Sequence, residues 1–293
     1  MKNKKEISRK SISMFLFTVP ATVLYCIFFI YPIAIGIMYS FTDWNGLAKD
    51  FKFIGLANYI EAFTNKRFQN AVLFNIKFTI LAVILVVGIS LILALIFNSD
   101  IRLKSFFRGI FFFPAVLGML VVGLIFNEIF YRVVPVIGKA MNISWLSTNI
   151  LASKLTAMYG VLIVHVWLAV AMATVMLLAG LQSTPMELYE AAELDGANKW
   201  QRFRYITMPF LLPVLSVVLI LQIKNGLTVY DIIVALTNGG PGGATESLSI
   251  LIYNHGFKEV KFSYAIAEAI ILTIVICAIS FVQTSISNKK KVY

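Results

Sequence analysis

Residues Thr184 to Pro213 read TPMELYEAAELDGANKWQRFRYITMPFLLP, a charged insert between two long apolar runs. Thr184, with Pro185 next and Glu187 three residues on, is a capping box with proline at the first helical position, so a helix is expected to start there. Glu187 and Glu190 suit its positive end. Gly196 ends it, because glycine takes the left-handed cap conformation without steric penalty. Asn198, three residues before Gln201, then caps a second helix leaving at an angle. At about 100° per residue, Leu188, Ala191, Ala192 and Asp195 share one face of the first helix, and Glu187, Glu190 and Glu193 spread over the other. Two alanines and a leucine bury little area but admit close backbone approach, the shape of a helix that docks into a groove on another protein. Composition alone would make the same stretch an ordinary solvated loop.

Outward from this insert the chain is apolar. Of 293 residues, 59% are hydrophobic and 13% charged, with a mean hydropathy of +0.85, against roughly 45–50% apolar and about 25% charged in a soluble domain. The net charge of +11 would suggest nucleic acid in a soluble chain. Here Lys and Arg gather at the ends of apolar runs, which is a membrane pattern and excludes a nucleic-acid partner. Cys26 and Cys277 lie in apolar runs far apart in sequence and read as small hydrophobes, neither disulfide nor metal ligands.

Runs of about 20 residues suffice to cross the hydrocarbon, and six are expected, at about 13–41, 71–97, 109–130, 156–181, 206–226 and 264–285. The first is too long for a signal-peptide core. Tails at 1–12 and 286–293 and the loop 182–205 complete one membrane domain. A re-entrant or interfacial turn is expected at Val133–Ile137, and a break in the fifth run at Lys224-Asn-Gly226. With the N-terminus inside, short inner segments carry 14 Lys and Arg, from Lys2 to Lys291, against 9 in the longer outer loops. The bias puts both termini and the loop 182–205 in the cytoplasm.

The string Glu190-Ala-Ala-Glu-Leu-Asp-Gly196-Ala, followed by Trp200, Phe203, Ile206, Met208-Pro209 and Pro213, resembles the EAA loop of the permease subunits of binding-protein-dependent ABC importers. The fuller run from Leu181 to Ala197 is similar to the carbohydrate branch, the relatives of the maltose and glycerol-phosphate permeases. Phe53-Ile-Gly-Leu-Ala-Asn-Tyr59 and Thr237-Asn-Gly-Gly-Pro with Ala244-Thr-Glu-Ser-Leu248 look like the same branch. Met208 stands where that family usually has Leu, a volume-conserving change. The resemblance implies an all-α integral membrane protein with the type I ABC importer permease fold and a cytoplasmic coupling helix, set among the lipid of a bacterial or archaeal cell membrane. It implies a second homologous permease subunit, a pair of ATPase subunits that bind ATP and Mg, and an extracytoplasmic binding protein that delivers a sugar or oligosaccharide. Leu188, Glu190, Ala191, Ala192, Asp195 and Gly196 would then seat in the ATPase.

The chain itself has no nucleotide site: Gly239-Gly-Pro-Gly-Gly243 is followed by Ala-Thr-Glu, where a phosphate-cradling loop needs Gly-Lys-Ser/Thr. No cofactor, metal site or catalytic set is therefore expected. A membrane-embedded enzyme would need such a set, and His165 and His255 stand in no paired-ligand spacing. A secondary transporter would favour inverted repeats and intramembrane acid pairs, for which Glu128 and Glu268 are the candidates. A peptide or amino-acid importer is the nearer alternative. Asn75, Lys77, His165, Gln222, Lys224, Asn225, Tyr230, Asp231 and Glu268 fall within or beside apolar runs and by default face the bundle interior, though each alone reads as well as a snorkelling side chain or a helix–helix hydrogen bond. A broken spanning helix is tolerated where the freed backbone is buried or lines a water-filled cavity, and in the resembled maltose permease this part of the fifth span borders the sugar. Asn225, Thr228, Tyr230 and Asp231 are expected to line the pathway, with Glu268 opposite on the sixth span.

Overall fold

Six helices are long and apolar enough to cross a bilayer: Met14–Tyr39, Lys66–Asn98, Met119–Ala140, Ala157–Gln182, Lys199–Leu227 and Phe262–Ile286. They belong to a computed structural model that describes residues 2–99, 102 and 104–289. Lys290 and Lys291, counted in the charge bias, lie outside the described residues. No β-strand occurs among the described residues, where a single bridge joins Thr42 and Phe53.

The third span departs from its expected bounds of 109–130. Its first part is a separate helix, Lys104–Phe112, with a tight turn Phe113–Val116, and the long helix starts only at Met119. Pro114 and Gly118 explain the interruption: proline donates no hydrogen bond to the preceding turn and crowds it, and Gly118 supplies an extended N-cap. The expected turn at Val133–Ile137 is absent: the helix runs through Pro135 to Ala140. It does so on a π-turn, Ile129–Val133, which ends two residues before the proline. The same arrangement recurs where Cys26–Ile30 precedes Pro32 and where Phe203–Thr207 precedes Pro209. Proline cannot donate to the carbonyl four residues back, and its ring crowds that carbonyl. A turn wider by one residue removes the conflict and lets the helix continue.

The chain divides into two compact units, Met1–Thr64 with Ile252–Ile271, and Asn65–Leu251 with Leu272–Tyr293. In the first unit the end of the first span is tied by Asn58, whose amide donates to the carbonyls of Ser40 and Thr42 at 2.8 and 2.9 Å. Beside it Tyr39 stacks on Trp44, which Phe262 meets edge-on, and the Ser263 N–H donates to the Trp44 carbonyl at 3.0 Å.

In the second unit the fourth span is the hub. Two-thirds of its apolar window (67%) is buried, against 28% or less for every other span. Phe78, Ala82 and Val86 of the second span, Val161, Val164, Ala173 and Leu177 of the fourth, and Leu211 and Val218 of the fifth make the core. Without water between helices, small residues let backbones approach: Gly180 of the fourth span lies against Leu211 and Val214 of the fifth. His165 is buried in this core with its ring against Phe78.

Candidate functional site

The charged insert folds as helix, turn, helix. The first helix runs Met186–Leu194, starting one residue later than the capping box suggests. Pro185 takes the N-cap place, and the Thr184 hydroxyl is buried without a hydrogen-bond partner among the described residues. Proline has no N–H to leave unsatisfied, so the cap costs little there. At the other end Gly196 has φ +75°. The Ala197 N–H donates to the Ala192 carbonyl at 2.8 Å and the Gly196 N–H to Glu193 at 3.1 Å, which is a Schellman close. Asn198 and Gln201 then form the expected reciprocal cap, at 2.9 and 2.8 Å.

Two further contacts brace the helices: Arg202 Nη1 to Glu193 Oε2 at 2.9 Å, and the Tyr189 hydroxyl with Thr207 Oγ1 at 2.9 Å. The insert is thus one rigid piece, continuous with the fifth span, which begins at Lys199 and not at 206. Of the residues expected to share a docking face, Leu188, Ala191 and Asp195 are exposed, as are Glu190 and Gly196, while Ala192 is half-buried beside Tyr189 on the braced side. Sequence reasoning missed three large exposed apolar groups, Leu194 (90% exposed), Met186 (69%) and Trp200 (68%). Their signal was present as large apolar side chains inside a charged stretch.

The second site is the break in the fifth span. It does not fall at Lys224-Asn225-Gly226, which stay helical to Leu227; the chain opens at Thr228–Tyr230 and a short helix, Asp231–Leu236, comes next. Gly226 serves packing here: a Cβ at this position would come within 2.7 Å of Thr79 Oγ1 and 3.0 Å of Thr79 Cα. The freed backbone is then satisfied from the second span. Asn75, fully buried, donates to the Leu227 carbonyl at 2.7 Å and to Gly226 at 3.3 Å, and its Oδ1 accepts from the Leu248 N–H at 2.8 Å. Ser247 Oγ donates to the Val229 carbonyl at 2.7 Å, and Asn127 of the third span donates to Leu236 at 2.7 Å. Gly123 of the third span packs directly on Ala235. The glycine-rich turn after this short helix is pinned by Arg67, paired through two N–H groups with Glu246 at 2.7 and 2.6 Å.

Asn225 and Asp231 are exposed, and Thr228 and Tyr230 half-buried. Glu268 does not fit a lining role. It is 0% exposed, and its Oε2 lies 2.8 Å from His255 Nδ1 within the first unit. A buried carboxyl needs such a partner, and His255, seated on a π-turn at Asn254–Lys258, supplies it. Glu128 pairs with Arg132 one turn on. No cluster of three or more His, Cys, Asp or Glu able to hold a metal occurs among the described residues.

The family described as binding-protein-dependent transport system inner membrane component matches residues 86–292. The multiple sugar-binding transport system permease protein MsmF of Streptococcus mutans is 41% identical over 276 residues, covering 94% of this chain and 95% of that protein. The probable starch degradation products transport system permease protein AmyD of Thermoanaerobacterium thermosulfurigenes is 32% identical over 292 residues, covering 100% and 99%. Among solved structures, a chain of a bacterial ABC transporter involved in the import of the acidic polysaccharide alginate superposes with a TM-score of 0.82 over 99% of both chains, at 21% identity. That likeness establishes the fold.

Proposed function

The chain belongs to the family of binding-protein-dependent transport system inner membrane components, and from that premise we propose that it forms half of the membrane pore of an ATP-driven importer of a sugar or oligosaccharide. It is a multi-pass membrane protein, and its relatives are transport permeases rather than enzymes. The names of relatives that handle multiple sugars or starch degradation products support a carbohydrate cargo. A second permease completes the pore, an extracytoplasmic binding protein delivers the sugar, and ATP and Mg are bound by a partner ATPase pair. Both termini and the loop lie on the cytoplasmic side, in keeping with the charge bias.

The observation that carries coupling is the braced insert. Its two helices are locked to each other and to the fifth span, yet they leave Met186, Leu194 and Trp200 uncovered. A rigid projection tipped with unpartnered apolar side chains on a membrane protein suits a groove on another subunit. Leu188, Glu190, Ala191, Asp195 and Gly196 complete that surface, with Ala192 beneath it. Motion of the docked insert is passed to the fifth span, and at its far end Asn225, Thr228, Tyr230 and Asp231 meet the sugar, a rigid-body form of alternating access.

Uptake of labelled sugars by cells lacking the chain, complemented by wild type or by Leu194→Arg, tests the reading. Wild type should restore uptake of at least one sugar, and Leu194→Arg should insert normally, abolish uptake and uncouple the ATPase. Full uptake in Leu194→Arg would remove the insert from the mechanism. Restoration of amino-acid uptake alone would overturn the cargo.

A further inference from the structure

The turn that leads into the sixth span is irregular in ways that packing a spanning helix does not require. Asn254–Lys258 is a π-turn. The other π-turns among the described residues each precede a proline, and no proline follows this one. Two residues on, Val260 stands at φ +56°, an outlier for a β-branched side chain. The Lys261 N–H donates to the His255 carbonyl at 2.8 Å and the Glu259 N–H to the Asn254 carbonyl at 2.9 Å. That is a helix close one residue wider than usual, with valine where glycine normally sits.

The wide turn carries His255 inward. Its ring is buried, with Nδ1 hydrogen-bonded to Glu268 Oε2 at 2.8 Å, and it packs on Tyr264 with ring centroids 5.1 Å apart. Gly256 lets the turn lie close on the sixth span, since a Cβ there would meet that of Ala265 at 3.3 Å. The other ring nitrogen, Nε2, is 3.9 Å from Glu259 Oε2, beyond hydrogen-bond length but within a small movement of the ring. His255 thus holds one carboxylate and has a second within reach, on the residue next to Val260. Backbone strain of this kind clusters at switch regions and persists only where surrounding contacts impose it. Here those contacts are the bond to Glu268 and the wide close on the His255 carbonyl.

The turn lies between two anchored ends. On one side the helix Leu248–Tyr253 starts at the Leu248 N–H, which Asn75 holds beside the fifth-span break, and reaches Asn254 about 9 Å on at 1.5 Å per residue. On the other, the Ser263 N–H donates to the Trp44 carbonyl at 3.0 Å, and its hydroxyl pairs with that of Thr42 at 3.1 Å, so the head of the sixth span is fixed to the loop after the first.

We propose that His255, Glu268 and Val260 form a two-state latch at the head of the sixth span. The structure shows the latch set. In its other state His255 exchanges Glu268 for Glu259, Val260 leaves the left-handed region, and the helix Leu248–Tyr253 is free to follow the fifth-span break as it opens. His255 is a positioning residue in this scheme, which rests on the importer reading above.

The test uses the importer as it occurs, with its partner subunits and binding protein in lipid nanodiscs, before and after addition of ATP and Mg. Amide exchange of the peptide 254–263, which contains the Glu259 and Lys261 N–H groups, should rise several-fold on addition, with the core of the fourth span unchanged. Val260→Asn places a residue that accepts left-handed backbone and should hold the latch set. Exchange of the peptide should then fall by about fivefold or more, the factor that relieving one left-handed residue contributes, and sugar uptake should slow at unchanged half-saturation although the protein melts no earlier. A turn with a structural role alone would make Val260→Asn more stable and leave uptake as it was. Glu268→Leu should keep exchange high with or without ATP, and Glu268→Gln, which retains the bond, should stay close to wild type. Wild type that hydrolyses ATP with no change in exchange, or Val260→Asn with wild-type exchange and uptake, overturns the latch and leaves the importer reading standing. Absence of ATP hydrolysis in the wild-type complex overturns both.

Discussion

Replacing Asn75 by leucine should loosen the break in the fifth span without unfolding the bundle. The side chain is 0% exposed and makes two short bonds, to the Leu227 carbonyl and from the Leu248 N–H, with a weaker one to Gly226. Leucine is of similar size but offers neither donor nor acceptor, so at least one buried carbonyl and one buried N–H lose their partners. Each such group costs about 1–3 kcal/mol, which gives about 2–6 kcal/mol for the pair. A domain is stable by about 5–15 kcal/mol, so the fold should survive while its margin shrinks. The melting temperature in detergent should fall by roughly 4–20 °C. Amide exchange should rise in segments 226–230 and 247–250, with much smaller change in the core of the fourth span. An unchanged melting temperature with unchanged exchange in both segments would refute the assignment of Asn75 as the tie that holds the break.

Other substitutions probe the remaining joints. Gly196→Ala puts a Cβ on a residue at φ +75° and should cost about 1 kcal/mol, a small loss of melting temperature with uptake retained. Gly196→Pro removes the Gly196 N–H that closes the helix and should abolish uptake with insertion intact, as judged by membrane fractionation. Gly123→Val drives a side chain into Ala235, whose Cβ would lie 2.4 Å from the new Cβ; overpacking of this kind costs about 1–3 kcal/mol and should raise exchange in Asp231–Leu236. Glu268→Leu removes the 2.8 Å partner of the buried His255 Nδ1 and should destabilise by about 1–3 kcal/mol, whereas Glu268→Gln, which can still bond the ring, should recover most of that in a melting assay.

Much of this molecule can be read before any coordinates, because a bilayer makes the reading simple. An uninterrupted apolar run must be a helix, since no water is available to satisfy its backbone. The insert was equally legible at Gly196 and Asn198, whose conformational needs are local. What sequence missed depended on partners distant along the chain. Gly226 looked like a breaker beside Lys224 and Asn225, but glycine is also what lets a helix touch its neighbour, and Thr79 lies 147 positions away in the chain. Glu268 looked like a pathway residue because a lone acid in an apolar run demands a reason, and the reason was His255. Pro135 looked like a turn because the widened helical turn before it leaves no mark in composition.

Those widened turns also rotate the length of helix beyond them. A π-turn holds one more residue than the α-helix it interrupts, so every later side chain is displaced by about 100° around the axis relative to an unbroken helix. At Phe203–Thr207 the displacement falls between Trp200, in the exposed insert, and Leu211 and Val218, in the core. The direction in which Trp200 points is therefore fixed by an extra residue as much as by its own position. A single deletion among residues 203–207 would re-aim the insert by about 100° relative to Leu211 and Val218, and would bring Pro209 back into conflict with the carbonyl four residues before it.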